Sequence, residues 1–330
     1  MKGEFWRGRR VFVTGATGFL GSWLVPELLK GGAEIVILMR DKVPNSLLEI
    51  SGDINKVNVV RGELENYPLI ERILNEYEIN TCFHLGAQAI VTVANRSPMS
   101  TFESDIRGTW NVLEAARNSK VLERLVIASS DKAYGEHEKL PYKETARLQA
   151  KYPYDVSKTC ADMLAQSYFQ TYGLPVGITR CGNFYGEGDL NFSRIVPGTI
   201  RSLIHNEIPI IRSDGTYVRD YIYIKDVVRA YMILAENLHR GGVKGEAFNF
   251  GTETPISVID LVTKILDIYG KSDIKPKILG SANGEIKAQY LCSEKAKKIL
   301  GWEHGYSLDK GLGETIEAYK NYFKEKQGGL

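Results

Sequence analysis

The sequence predicts an α/β protein built on a doubly wound parallel sheet, with a smaller C-terminal lobe beside it. Three observations predict this. Short apolar, β-branched runs alternate with segments of helical spacing through the first half of the chain. A glycine-rich turn stands at the first strand–helix junction, and the alternation fades after Cys181. Parallel strands buried on both faces read as such continuous apolar runs.

Arg10-Val11-Phe12-Val13-Thr14 is the first strand, ending at glycine, and a helix follows from Leu20 to Lys30. Glu34–Met39 is the second strand. Val57–Val60, Thr81–Leu85, Arg124–Ala128 and Val176–Arg180 continue the series. Between them, Ile70-Ile73-Leu74-Tyr77 and Trp110-Leu113-Ala116-Arg117 have helical spacing. Residues 184–220 are rich in Gly, Pro and Arg, and 253–330 are mostly helical with short strands. The predicted division is a dinucleotide-binding domain over 1–180, rejoined by the chain around 221–252. Residues 181–330 are mainly a substrate-binding lobe.

Bulk properties narrow the partners. The 330 residues are 43% hydrophobic and 25% charged, with a formal net charge of +2 and no block of like charges. Neither nucleic-acid nor membrane-surface binding is expected. No stretch approaches the roughly 20 apolar residues that span a bilayer, and the N-terminus runs into the first strand without an apolar leader. Cys82, Cys160, Cys181 and Cys292 are widely spaced, so no metal site or disulfide framework is expected. A cytoplasmic protein is the reading.

Thr14-Gly15-Ala16-Thr17-Gly18-Phe19-Leu20-Gly21 is the first chemical signal. Gly15 permits a tight turn, Gly18 lets backbone approach a pyrophosphate, and Gly21 allows close helix–strand packing. The helix N-terminus then faces the phosphates, as in a Rossmann-type domain. Residues 129–135, Ser-Ser-Asp-Lys-Ala-Tyr-Gly, follow the apolar run Leu125–Ala128. They are either an ordinary polar turn or a set of proton donors and acceptors. Tyr154 and Lys158 lie four apart, hence on one helix face, with Pro153 suited to a helix start. An ammonium near the phenol lowers its pKa from about 10 and suits it to general-base work. The alternative is an exposed surface pair.

These motifs together resemble the extended short-chain dehydrogenase/reductases, within them the nucleotide-sugar epimerases and dehydratases. The likeness rests on Gly15-x-x-Gly18-x-x-Gly21, Ser130 ahead of Tyr154-x-x-x-Lys158, and His84-Leu85-Gly86-Ala87-Gln88. It extends through Gly182-Asn183-Phe184-Tyr185-Gly186, Val218–Val227, Phe248–Gly251 and Ser293–Trp302, nearly end to end. It implies a dinucleotide held by Gly15, Thr17, Gly18, Phe19, Leu20, Gly21, Arg40, Glu63, Leu64, Leu85, Gly86, Ala87, Gln88, Tyr154 and Lys158. It implies a nucleotide-diphosphate sugar held by Gln88, Ser130, Asn183, Arg194 and Arg219. It also implies a homodimer through helical stretches near 103–118 and 154–172.

Epimerases of this family carry small or apolar residues after the Ser/Thr, whereas the 4,6-dehydratases carry an acid followed by Glu or Lys. Asp131-Lys132 therefore resembles the dehydratase variant, particularly the CDP-glucose type, though the same pair occurs in some dehydratases of UDP-N-acetylhexosamines. Gly188-Asp189 followed by Arg194-Ile195-Val196-Pro197 points the same way. Three positions depart from the pattern: Gly86 where Ala is usual, Cys292 where Asp is frequent, and Asp105 where Asn is frequent. The resemblance implies catalysis by Ser130, Asp131, Lys132, Tyr154 and Lys158, without a metal. A 4-epimerase would need only Ser130, Tyr154 and Lys158; a non-catalytic regulator would need none of them. The cofactor is NAD or NADP, tightly bound and regenerated each turnover. Met39 replaces the acid that contacts the ribose in NAD-preferring relatives, and Arg40 next to it would suit a 2′-phosphate, while Asp41 would not.

Overall fold

The computed structural model describes residues 4–281 and 286–328. Its centre is a seven-stranded sheet. The strands are β1 Arg10–Thr14, β2 Glu34–Met39, β3 Asn58–Arg61, β4 Thr81–His84, β5 Arg124–Ala128, β6 Val176–Cys181 and β7 Ala247–Phe250. All pairs are parallel, in the order β7-β6-β5-β4-β1-β2-β3. The order reverses between β1 and β4, and their carboxyl ends flank a crevice of the kind in which open α/β sheets bind ligands.

Side-chain alternation along each strand feeds two cores. Val11, Val13, Ile35, Ile37, Phe83 and Val126 face one side. There they meet α1, Phe19–Lys30, and a later helix over Ile224–Asn237. Phe12, Val36, Leu38, Cys82, Leu125, Ile127, Val176 and Ile178 face the other side. They pack against α2 (Tyr67–Glu76), α3 (Gly108–Asn118) and α4 (Pro153–Tyr172). Ile70, Ile73, Leu74, Leu113 and Ala116 are buried as their spacing predicts, but Trp110 is 43% exposed.

Beyond β6 the chain builds a second layer of short pieces. Strand Asn183–Tyr185 pairs with Tyr221–Tyr223, and Val218–Arg219 lies between Ile256–Ser257 and Ala288–Gln289. Helices Ile195–Ile204, Val258–Tyr269, Glu294–Leu300 and Leu308–Gly328 complete the C-terminal region. Among the described residues, no helix is long and apolar enough to cross a membrane.

One buried ion pair locks α4 to the sheet. Arg180 on β6 donates Nε to Asp162 Oδ2 at 2.8 Å and Nη2 to Asp162 Oδ1 at 2.9 Å. The two side chains are 3% and 0% exposed. Arg180 also donates to the Tyr134 hydroxyl at 2.9 Å, and that hydroxyl donates to Asn249 Oδ1 at 2.7 Å. The network ties α4, β6, β7 and the turn after β5 together. Removing one partner strands the other charge in the interior. Asp162→Ala should therefore lower the unfolding free energy by about 3–5 kcal/mol, which urea denaturation followed by circular dichroism would measure.

Candidate functional site

The glycine-rich turn follows β1 directly. Gly15 has φ of +68°, and a Cβ there would lie 2.8 Å from the Gly86 backbone nitrogen. A Cβ at Gly21 would stand 2.3 Å from the Gly15 carbonyl oxygen, so α1 approaches the turn as only glycine allows. Gly18 is exposed and opens α1 without any side-chain cap. The first helical N–H groups, from Phe19, Leu20 and Gly21, are thus left for an external acceptor. Thr17 and Phe19 are half-buried beside them. This cradle fits a dinucleotide pyrophosphate.

Across the crevice, the segment after β4 is fixed by Thr14. Its hydroxyl accepts the Leu85 and Gly86 N–H groups at 3.1 and 3.0 Å, and contacts His84 Nδ1 at 2.9 Å. His84 Nε2 meets the Thr109 hydroxyl at 3.0 Å. Burial drives the His84 pKa down to about 3, so its ring is a neutral strut. Leu64 wedges against Gly86 and Gly108, and its carbonyl accepts Asn111 Nδ2 at 2.9 Å. Leu85, Gly86, Ala87 and Gln88 are half-buried, and Glu63 is exposed.

The Gln88 N–H leads to a feature for which the sequence offers little signal. It donates to Asp105 Oδ1 at 2.6 Å, and Ser104 donates to the same oxygen at 2.8 Å. Ser157 on α4 donates to Asp105 Oδ2 at 2.8 Å. A carboxylate that is 2% exposed therefore joins the cofactor-side loop to the helix of Tyr154 and Lys158. Only the departure from Asn marked this position.

The stretch Ser129–Gly135 forms one 3₁₀ turn over Asp131–Tyr134. Ser130 caps it by accepting the Lys132 N–H at 3.2 Å. Gly135, at φ of +68°, ends it against the Gln149 carbonyl. Thr159 of α4 donates to the Ala133 carbonyl at 3.1 Å, and Lys158 Nζ donates to the Ala128 carbonyl at 2.9 Å. These bonds set α4 against the turn, where Ser130 acts on the Tyr154 phenol and favours its ionised form. Ser130, Asp131, Lys132, Tyr154 and Lys158 thus come together.

Burial dominates the electrostatics here. It raises the Asp131 carboxyl, against the opposing pull of Lys132. It raises the Tyr154 phenol too, helped by Asp105 and opposed by Arg194 and the Ser130 hydrogen bond. It lowers Lys158, with Asp105 acting to raise it. The downward pull on the phenol, expected of Lys158, comes here chiefly from Arg194 and Ser130.

Two sugar-phosphate candidates carry charge toward the same place. Arg194 is held by Asp189 at 3.0 Å. Arg219, 7% exposed, donates to the Val218 and Lys287 carbonyls and acts electrostatically on Asp131. Asn183 begins the short strand beside Asp220, its N–H donating to the Asp220 carbonyl at 3.0 Å. Arg40 is exposed and bonded to Asp41 at 2.7 Å, with Glu63 and Glu65 acting on it as well. Among the described residues, no cluster of three His, Cys, Asp or Glu side chains is suited to a metal ion.

Comparison with known proteins places this geometry. Residues 11–251, well over half of the chain, match the NAD dependent epimerase/dehydratase family. The CDP-glucose 4,6-dehydratase of Salmonella typhimurium is 30% identical, over 97% of this chain and 93% of that protein. A UDP-glucose 4-epimerase from Thermotoga maritima, solved with UDP-glucose, superposes with a TM-score of 0.87. It is 29% identical and covers 95% of this chain and 99% of its own. A dTDP-glucose 4,6-dehydratase from Streptomyces venezuelae, solved with NAD and TYD bound, gives 0.85 at 26% identity, covering 97% and 98%. The chain belongs to the NAD-dependent epimerase/dehydratase family, an extended short-chain dehydrogenase/reductase with a Rossmann-type sheet.

Proposed function

We propose that the protein is a nucleotide-sugar 4,6-dehydratase, and within that class one acting on CDP-glucose. The observation that carries this is Asp131: a carboxyl only 3% exposed, its pKa raised by burial, one residue from a lysine and bonded to Ser130 at 3.1 Å. An elimination needs an acid that keeps its proton and a base beside it. Epimerisation at C4 needs neither. The 30% identity to a CDP-glucose 4,6-dehydratase supports the choice of base and hexose.

In this reading Tyr154, as phenolate, takes the proton of the sugar 4-hydroxyl while Ser130 holds that oxygen. A bound nicotinamide supplies hydride acceptance from C4 and its later return to C6. With C4 a ketone, the hydrogen on C5 becomes acidic, and the Lys132 amine removes it. The C5–H electron pair becomes the C5–C6 double bond as the C6–O bond breaks, and Asp131 gives its proton to the departing oxygen as water. Lys132 finally returns its proton to C5. The proton gained by Tyr154 balances the one lost by Asp131. The product is a 4-keto-6-deoxy sugar nucleotide lighter by one water. Asn183, Arg194 and Arg219 are assigned to the diphosphate, and Gln88 to the sugar.

The glycine cradle, with Leu64 and Leu85–Gln88 beside it, is assigned to NAD rather than NADP. Asp41, Glu63 and Glu65 surround the Arg40 guanidinium with negative charge, which disfavours a 2′-phosphate. Lys158 is assigned to the nicotinamide ribose. We place the enzyme in the cytoplasm, where its four free cysteines stay reduced. We also assign it a homodimer through α3 and α4, on which Trp110 and Met163 are 43% and 59% exposed.

Three outcomes are expected. Offered CDP-, dTDP-, GDP- and UDP-glucose, the protein should convert the CDP sugar to a product lighter by one water. An unchanged mass with a new stereoisomer would identify a 4-epimerase, the activity named for the Thermotoga maritima protein. Asp131→Asn and Lys132→Ala should each slow dehydration by about 10²–10⁴-fold yet still form reduced cofactor, seen by its near-ultraviolet absorbance. Tyr154→Phe should abolish that absorbance change.

Because the hydride is returned, denaturing the purified protein should release near-stoichiometric NAD, and turnover should need no added reductant. Light scattering should give about twice the 37.0 kDa chain mass, with Met163→Lys shifting the protein toward monomer.

A further inference from the structure

Lys132 and Asp131 share a partner from the far end of the chain. Gln289 is fully buried. Its Oε1 accepts from Lys132 Nζ at 2.5 Å, and its Nε2 donates to the Asp131 carbonyl at 2.8 Å. Because an ammonium or amine donates here and a carbonyl only accepts, the carboxamide has one orientation that satisfies both. Gln289 sits in the short strand Ala288–Gln289, directly opposite Arg219 of the parallel strand Val218–Arg219. The same segment is tied to the loop beyond the catalytic turn. Tyr142 N–H donates to the Tyr290 carbonyl and Cys292 N–H to the Tyr142 carbonyl, both at 2.9 Å. The Tyr142 hydroxyl donates to the Gly135 carbonyl at 2.7 Å.

We propose that Gln289 is a positioning residue for the elimination step, holding the Lys132 amine in place through a neutral acceptor. The inference rests on the dehydratase reading of Asp131 and Lys132. A carboxamide fixes Nζ without adding charge, so the base can lose its proton and still keep the bond. A carboxylate at the same point would favour the ammonium. That choice of group matters because negative charge is already close. Asp131 and Asp155 both act on Lys132, with Asp220, Arg219, Tyr142 and Tyr154 around Asp131. Burial raises the Asp155 pKa to about 6, so this neighbour gains charge through the neutral range. A neutral Gln289 adds nothing to that field. Its strand also carries Arg219, assigned above to the substrate diphosphate. The seating of the diphosphate and the aim of the base therefore share one short strand pair.

Two substitutions test the proposal. Gln289→Glu keeps the size and an acceptor but adds charge. Competitive acetylation of Lys132 with acetic anhydride, read by mass spectrometry across pH, reports the titration of its amine without any turnover. The midpoint should rise by about 1–3 units relative to wild type, and the rising limb of the dehydration pH profile should move upward with it. Gln289→Leu removes both hydrogen bonds while keeping bulk. It should form reduced cofactor at near wild-type rate but release dehydrated product at least tenfold more slowly. An unmoved Lys132 midpoint in Gln289→Glu, or equal loss of both steps in Gln289→Leu, overturns the proposal. Failure of wild type to lose water from any sugar nucleotide would sink the dehydratase reading instead, while the acetylation midpoint still judges the Gln289–Lys132 contact.

Discussion

The site depends on how one buried negative charge is satisfied. Asp105 is almost wholly removed from water, and its two oxygens accept from Gln88 N–H, the Ser104 hydroxyl and the Ser157 hydroxyl. A buried carboxylate without such donors costs several kcal/mol. The three donors come from the loop after β4, the segment before α3, and α4. Satisfying Asp105 therefore fixes the cofactor-side wall against the helix that presents Tyr154 and Lys158. Asn at this position would bring two amide hydrogens in place of a second acceptor oxygen, and the Ser157 contact would have to reverse. The same charge favours the ammonium of Lys158 and opposes the phenolate of Tyr154.

Much of the scaffold was legible in the sequence because its signals are local. Of the seven sheet strands, β7 was foreseen only as a return of the chain around 221–252; apolar runs marked the other six within a residue at each end. The three glycines did so through backbone geometry that no other residue permits at Gly15 and Gly21. The candidate site was legible as a grouping, since Ser130, Asp131, Lys132, Tyr154 and Lys158 converge. What escaped was long-range pairing between side chains. Gln289 meets Lys132 across 157 positions of sequence, and Asp162 meets Arg180 across α4 and β6. Neither carries a local spacing signal. Trp110 shows the converse limit: helical periodicity places it on a face, yet it is exposed in the single chain.

The second layer is more than a lid on the sheet. Its short strands would be marginal alone, but Val218–Arg219 is flanked by two partners, and Asp220 beside it accepts the Thr252 N–H and hydroxyl. Helix Ile224–Asn237 then returns the chain to the first core, and β7 joins the sheet edge. Arg219 and the sheet are thus close along the chain. Arg219 lies only a few residues from a helix packed on the sheet, so its position is set by the same core that positions β1.

Burial acts on Asp131 and Tyr154 in one direction, while the roles proposed for them in dehydration ask for opposite states. Removing water raises both the Asp131 carboxyl and the Tyr154 phenol. For Asp131 this is useful, because an acid must still hold its proton when the C6–O bond breaks. For Tyr154 it is a handicap, since the base must lose its proton first. Desolvation alone therefore cannot assign the roles. Charged and polar partners act beside burial: Arg194 and Ser130 favour the phenolate, while Lys132, Ser130 and Arg219 pull Asp131 toward its ionised form and Asp220 opposes them. Two groups in one dry pocket can be driven to different protonation states only by partners that reach one more strongly than the other. Arg194 is itself tied to Asp189, which leaves its charge partly shared. How far the phenol is pulled down thus depends on how that guanidinium divides its bonds between Asp189 and whatever anion enters the crevice.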